Sequence, residues 1–377
     1  MIRAAKHMLK ANFLNIPGKG IKDKVLVFES DDWGTIRTPN RDMLKFLEEQ
    51  KIQTNRCHYT RFDSLESAED LEALFDLLSR YKDSVGQHPV ITANLLTANP
   101  DFDKIKASGF NEYYHETVME SFNKRDGNDR VFSLWKEGQD RNLFYPQLHG
   151  REHLNISRWM TALRSGSKET HALFEYRCFG ISQHISQEKR GSYLAAFDGG
   201  KKELLYDRSA IVNEATHMFK SMFHRDSASF IAPNYVWDEE IEKALNGEGI
   251  RFIQGSRMQA VSGDYGTERI KNRHYHGQRS TFNQVYLIRN VEFEPSSNPD
   301  ADWTNRSMAE IAAAFRFGKP AIVSVHRVNF IGGLDPQNRS KGLESFESLI
   351  KNVLKKWPEV RFMHSETLAN TYYRNAI

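Results

Sequence analysis

Short apolar runs of strand character alternate with amphipathic helical stretches along almost the whole chain, and that alternation leaves few folds open. Runs rich in β-branched and aromatic residues fall at 25–28, 90–94, 143–147, 229–231, 251–253, 284–289, 320–325 and 360–363. Between them, helical spacing marks 40–50, 67–81, 156–163, 239–245, 308–317 and 346–357. The clearest stripe is Leu71, Leu74, Leu78 and Tyr81, and Asn40 is placed to cap the helix it precedes. Strands separated by helices predict a parallel sheet or barrel with helices outside. No linker or internal repeat divides residues 1–377, so we expect one elaborated domain, with insertions at approximately 95–142 and 164–228.

In such folds, chemistry collects at the carboxyl ends of the strands. Asp31, Asp32, His149, His153, Pro233 and His326 all stand just past a predicted strand. The sequence Glu29-Ser30-Asp31-Asp32-Trp33-Gly34 carries two adjacent carboxylates. Neighbouring side chains on an extended segment point apart, so one aspartate can bind a metal while the other faces a reacting carbon. Turns and caps also favour aspartate. Glu29, two residues before Asp31, falls on the same side if the strand continues. In His149-Gly150-Arg151-Glu152-His153 the imidazoles are four apart and share a face if the stretch is helical. The zincin pattern H-E-x-x-H is absent, because Glu152 directly precedes the second histidine. Two histidines and one aspartate would leave coordination positions open, as a catalytic metal requires.

Composition removes several classes. A net charge of +3 is no nucleic-acid footprint. Two cysteines, Cys57 and Cys178, fit a reducing compartment and build no zinc knuckle. Lys6, His7, Lys10 and Asn12 interrupt any signal-peptide core, so a cytoplasmic location is expected. Residues 2–14 could form a basic amphipathic helix that touches a membrane surface or packs on the domain. No run approaches the roughly 18 apolar residues of a membrane span. Aromatics make up 12% of the chain, enough to offer stacking surfaces to a sugar, though most such side chains pack in cores. Oligomeric state is not legible.

The order of motifs is Asp31-Asp32, then His149-x-x-x-His153, then Pro233-Asn234-Tyr235, then Asp302-Trp303, then Ser324-Val325-His326. Over roughly residues 24–370, that order resembles the NodB-homology polysaccharide deacetylases. The resemblance implies a distorted (β/α) barrel of about seven parallel strands with helical insertions, removing N- or O-acetyl groups from a saccharide. It implies Asp31 as general base and His326 as general acid, with His364 in reserve. Asp32, His149 and His153 would hold a divalent ion, zinc foremost, with nickel, cobalt or manganese admissible. Trp33, Asn234, Tyr235, Trp237 and Arg327 are the expected substrate contacts. The chain also departs from the pattern. Ile231 stands where the family has an arginine that pairs with the base, Asn234 occupies the tyrosine position, and Pro299 replaces a first aspartate. Trp33 stands at a glycine position. Support for the base would then have to be rebuilt, with Arg327 or Arg151 as candidates. A barrel that binds glycan without turnover, and an amidohydrolase acting on a small non-sugar amide, are the alternatives. A glycoside hydrolase needs two carboxylates about 5–9 Å apart across the bond, which chain neighbours do not naturally supply. His274 and His276, in a polar loop, are expected to be exposed.

Overall fold

The computed structural model describes residues 9, 11–127, 129–188, 191–264 and 266–374. Most of the basic 2–14 segment therefore lies outside the described residues. Among the described residues one sheet holds nine strands: β1 (Val25–Trp33), β2 (Ile91–Leu96), β3 (Phe144–Gly150), β4 (Ser229–Ile231), β5 (Phe252–Gly255), β6 (Val285–Ile288), β7 (Val291–Glu292), β8 (Ala321–His326) and β9 (Arg361–Phe362). They pair in the order β6-β5-β4-β3-β2-β1-β8-β7, all in parallel. β9 joins β1 beside Val25 and Leu26, below the point where β2 takes over. This is the distorted (β/α) barrel that the sequence predicts.

The ends of that path meet in one bent segment. The Arg289 N–H donates to Gly255 O on β5 at 2.9 Å, and the next N–H, of Asn290, donates to Ile322 O on β8 at 3.1 Å. The Asn290 side chain completes the seam, accepting from Ile322 N–H and donating to Pro320 O. β6 and β7 are thus two halves of one strand that changes partner at Arg289.

Alternation along the strands sorts side chains into the barrel or toward the helices. Val25, Val27, Phe252, Val285, Leu287 and Ile322 form an apolar layer, closed from below by Leu368, Ala369 and Tyr372 of the C-terminal helix Ser365–Arg374. Above it lies a polar layer. Asn94 and Gln254 bond to each other, Gln254 bonds to Ser229, and Ser229 donates to Gln147. The titratable residues stand on top of this layer, at the carboxyl ends. Outside, helix Ala68–Ser79 starts at a Ser67–Asp70 capping box and buries Leu71, Leu74 and Leu78 with Leu26, Phe28 and Ile91. Each such leucine contributes about 1.5–3 kcal/mol by leaving water.

Residues 95–142 hold a small hairpin, Ala98–Pro100 with His115–Thr117, and helices Phe102–Ala107, Val118–Asp126 and Arg130–Asp140. Phe122 and Trp135 of this stretch pack edge-to-face in the core. Within 164–228 lie helices Lys168–Glu175 and Arg208–Phe223. No helix among the described residues is long and apolar enough to cross a membrane.

Candidate active site

Asp32, His149 and His153 are all buried, and their ligand atoms lie within 4.8 Å of one another. Asp32 Oδ1 is 3.4 Å from Nε2 of each histidine. Those two spacings match the edge of a tetrahedron whose corners stand about 2.1 Å from its centre, the usual reach of zinc ligands. The backbone produces it by leaving ideal strand form. Asp32 takes φ +74°, at a break in the β1–β2 register between Ser30 and Trp33. This turn lets two consecutive carboxylates serve one site.

The histidine stretch is not a helix. His149 ends β3, Gly150 bends the chain at φ +133°, and His153 lies in the loop before helix Ile156–Arg164. Helical i, i+4 spacing therefore gives the correct pair for a reason that does not apply here. His149 Nδ1 is 2.8 Å from Ile231 O, so it carries the proton and leaves Nε2 as the lone-pair nitrogen facing Asp32. Burial pushes His153 down to about 3, keeping the neutral form that ligates metals. Burial alone would raise the Asp32 carboxyl, but the positive charge around it, His326 and Arg37 included, outweighs burial and holds it well below the usual carboxylate range. One carboxylate and two neutral imidazoles fit a divalent transition ion.

Asp31 points the other way. Arg289 grips it with two parallel bonds, Nη1 to Oδ2 and Nη2 to Oδ1, both 2.6 Å. Asn94 adds a bond to Oδ1 at 2.8 Å. The Arg289 Nε donates to Glu29 at 2.7 Å, and Ser365 holds the other oxygen of Glu29. Burial would raise Asp31, yet Arg289 more than offsets it and the carboxyl sits below its ordinary value. The missing arginine is thus rebuilt by Arg289, from the bend that closes the barrel. Arg327 and Arg151 do not supply it. Arg327 is fully buried with Asp63, Glu66 and Thr35 O, outside the cavity, and Arg151 pairs with Glu152 and Glu214.

His326 Nε2 lies 3.8 Å from Asp31 Oδ2, and its Nδ1 is 2.5 Å from Glu294. Asn329 steadies Glu294 from the other side. Burial disfavours the imidazolium, but Glu294 reverses this and raises His326 to about 9. An arginine-held aspartate and a carboxylate-backed histidine therefore flank the cluster of Asp32, His149 and His153.

No family model matches the sequence, and no curated protein is similar to it. Solved structures do resemble it in shape. A glycoside hydrolase/deacetylase candidate from Parabacteroides distasonis superposes with a TM-score of 0.50 at 9% identity, covering 97% of this chain and 73% of that one. The chain shares the barrel fold of that protein. A 4-alpha-glucanotransferase from Thermococcus litoralis gives 0.45 at 9% identity over 94% of this chain, which spans only 40% of that longer one. A polysaccharide deacetylase candidate from Mycobacterium smegmatis gives 0.42 at 9% identity, covering 96% and 94%.

At the mouth of this barrel a cavity of about 220 Å³ is lined by Asp31, Asp32, His149, His153 and His326. Asn234 and Tyr235 line it as expected, both at left-handed φ, 56° and 55°. The Tyr235 N–H is spent on Ala232 O. Tyr235 Oη accepts from Arg289.

The other expected contacts lie elsewhere. Trp33 is wholly buried and edge-on to Phe144, with Nε1 bonded to Ser30, because the turn at Asp32 sends it into the core. Trp237 is core too, bonded to Glu242. Asp302 caps helix Trp303–Arg316. His364 stacks on Tyr145, near the opposite end of β3 from His149. His274 and His276 are buried, His274 stacked on Tyr286.

Arg289, Glu294, Asn94, Tyr59 and Arg37 belong to the site although sequence reading missed them. Arg289 and Glu294 stand just past strands, so the strand-end rule, extended beyond Asp and His, would have found them. Tyr59 and Arg37 lie outside the barrel strands and carry no periodic signal.

Proposed function

We propose that this protein is a metal-dependent deacetylase of the NodB-homology type, removing an N- or O-linked acetyl group from a saccharide. One observation carries the reading: a two-histidine, one-aspartate cluster shares a single cavity with an arginine-held aspartate and a carboxylate-backed histidine.

A divalent ion held by Asp32, His149 and His153 would supply Lewis acidity to the acetyl carbonyl and to water. Asp31 takes the proton of the attacking water. Arg289 and Asn94 fix its carboxylate, so little ordering remains to be done at the moment of reaction. The Asn234 N–H would serve the developing oxyanion. His326, kept protonated by Glu294, gives its proton to the leaving nitrogen or oxygen. The feature that favoured a silent binding barrel was the lost arginine, and Arg289 answers it.

The test is metal content by elemental analysis, together with acetate release from N- and O-acetylated saccharides. Wild type should carry about one divalent ion per chain and release acetate. Asp31→Asn should keep the ion and lose about 10²–10⁴-fold in rate. Failure to bind zinc, nickel, cobalt or manganese would sink the site and the mechanism together. Metal-loaded protein that releases no acetate from any substrate would instead support the binding barrel.

A further inference from the structure

Arg37 is a buried arginine with no bonded counter-ion. It is 7% exposed, and its side chain lines the cavity beside Asp32, His153 and Tyr59. Among the described residues its guanidinium makes no hydrogen bond and no ion pair. It lies over the Tyr59 ring, whose centroid is 5.4 Å from Cζ, and its charge reaches the Asp32 and Asp63 carboxylates only at longer range. The other deeply buried arginines are all compensated. Arg289 has Asp31 and Glu29, Arg327 has Asp63 and Glu66, Arg151 has Glu152, and Arg208 has Asp238. Burying a guanidinium without a counter-charge is costly, and folds avoid it unless a ligand completes the pair.

The backbone around Arg37 is fixed on both sides. The Ile36 N–H donates to Asn99 Oδ1 at 2.9 Å, and the Thr38 N–H donates to Asp63 O at 3.0 Å. Thr38 Oγ1 also bonds Thr60 O. Arg37 is therefore a preformed cationic wall rather than a loose surface side chain. Asp32 turns Oδ1 to the two histidines and makes no close ion pair with Arg37. A cavity of about 220 Å³ is smaller than the about 300–1,000 Å³ of most small-molecule sites, so it has room for little more than one sugar unit.

Resting on the deacetylase reading, we infer that Arg37 selects an acidic saccharide: it receives a carboxylate or phosphate on the acetylated sugar or on the unit next to it. A guanidinium is suited to either, because its planar fork matches both oxyanions. Neutral acetylated sugars leave it unpaired and are the poorer substrates.

The test uses zinc-loaded full-length wild type, Arg37→Gln and Arg37→Lys. The substrates are N-acetylglucosamine, its 1-phosphate and the matching N-acetylated aminouronate. Acetate release gives kcat/KM, and calorimetry gives the affinity for each sugar. Metal content and melting temperature establish that each variant is folded. Wild type should prefer one acidic sugar over the neutral one by about 10–10²-fold, the size of a charge-assisted bond. In Arg37→Gln that ratio should collapse toward one, mainly through KM, and Arg37→Lys should recover part of it. The arm that shows the preference identifies carboxylate or phosphate. Equal preference in wild type overturns the inference, as does an unchanged ratio in Arg37→Gln with both rates lowered. If no sugar releases acetate, the deacetylase reading fails, and calorimetry decides for Arg37 alone. Arg37-dependent binding of an acidic sugar supports the inference, and equal binding of acidic and neutral sugars overturns it.

Discussion

Arg289 does more than any other single residue outside the ligand cluster. It neutralises Glu29 and Asp31 together, and all three are buried. Arg289→Met would leave two carboxylates facing each other in the barrel. Breaking a buried pair from one side costs about 3–5 kcal/mol, so urea unfolding should show a loss of that order. Asp31 would lose the charge that offsets its burial, and the acid limb of kcat/KM should move to higher pH. His326 offers a second test, with the opposite sign. Its value is raised to about 9, so the proton it donates is present below that pH and lost above it. Activity should therefore fall as pH rises through about 9. Glu294→Gln removes the largest charge that opposes burial and leaves only Asp31 and Asp32, so the alkaline limb should move down by about 1–3 units. A pH profile of kcat/KM in which Glu294→Gln leaves the limb in place would remove Glu294 from the role given to it here.

Elements transmit their packing to these groups. Helix Pro336–Lys356 presses on the turn Arg327–Phe330, and a Cβ built on Gly342 would fall 1.7 Å from Asn329 O. Asn329 in turn donates to the Glu294 that holds His326. Gly342→Ala must push the helix or the turn away. It should cost about 1–3 kcal/mol in stability and lower kcat as well, measured by thermal unfolding and acetate release. At this scale the sequence was legible where periodicity governs. The stripe Leu71, Leu74, Leu78 is buried as its spacing predicts, and Asp31, Asp32, His149 and His326 stand at strand ends. It was misleading where the chain leaves regular form. His149 and His153 meet through a strand end and a loop, and Asp32 reaches the site only through a left-handed backbone. Neither conformation has a period.

Across the whole molecule, the cluster ties β1 to β3 and to the loop that follows it. An ion bound there stabilises the folded state by mass action, about 2.7 kcal/mol at one hundred times its dissociation constant. Adding zinc to chelator-treated protein should raise the melting temperature and restore activity. Asp32→Ala should abolish the melting shift. A wild-type melting curve indifferent to zinc, nickel, cobalt and manganese would contradict the cluster.

The sequence by itself determined the alternation of strands and helices, hence the barrel, and the residues at its strand ends: Asp31, Asp32, His149, His153 and His326. These follow from local periodicity and from a topological rule that places strand carboxyl ends on one face. Only the tertiary structure decided what stands beside them. Arg289 reaches Asp31 across 258 positions of chain, Glu294 reaches His326 across 32, and Arg37 is buried at the cavity without a close ion pair. Pairing between distant segments depends on how the barrel closes, and a bend at one residue, Arg289, settles that closure.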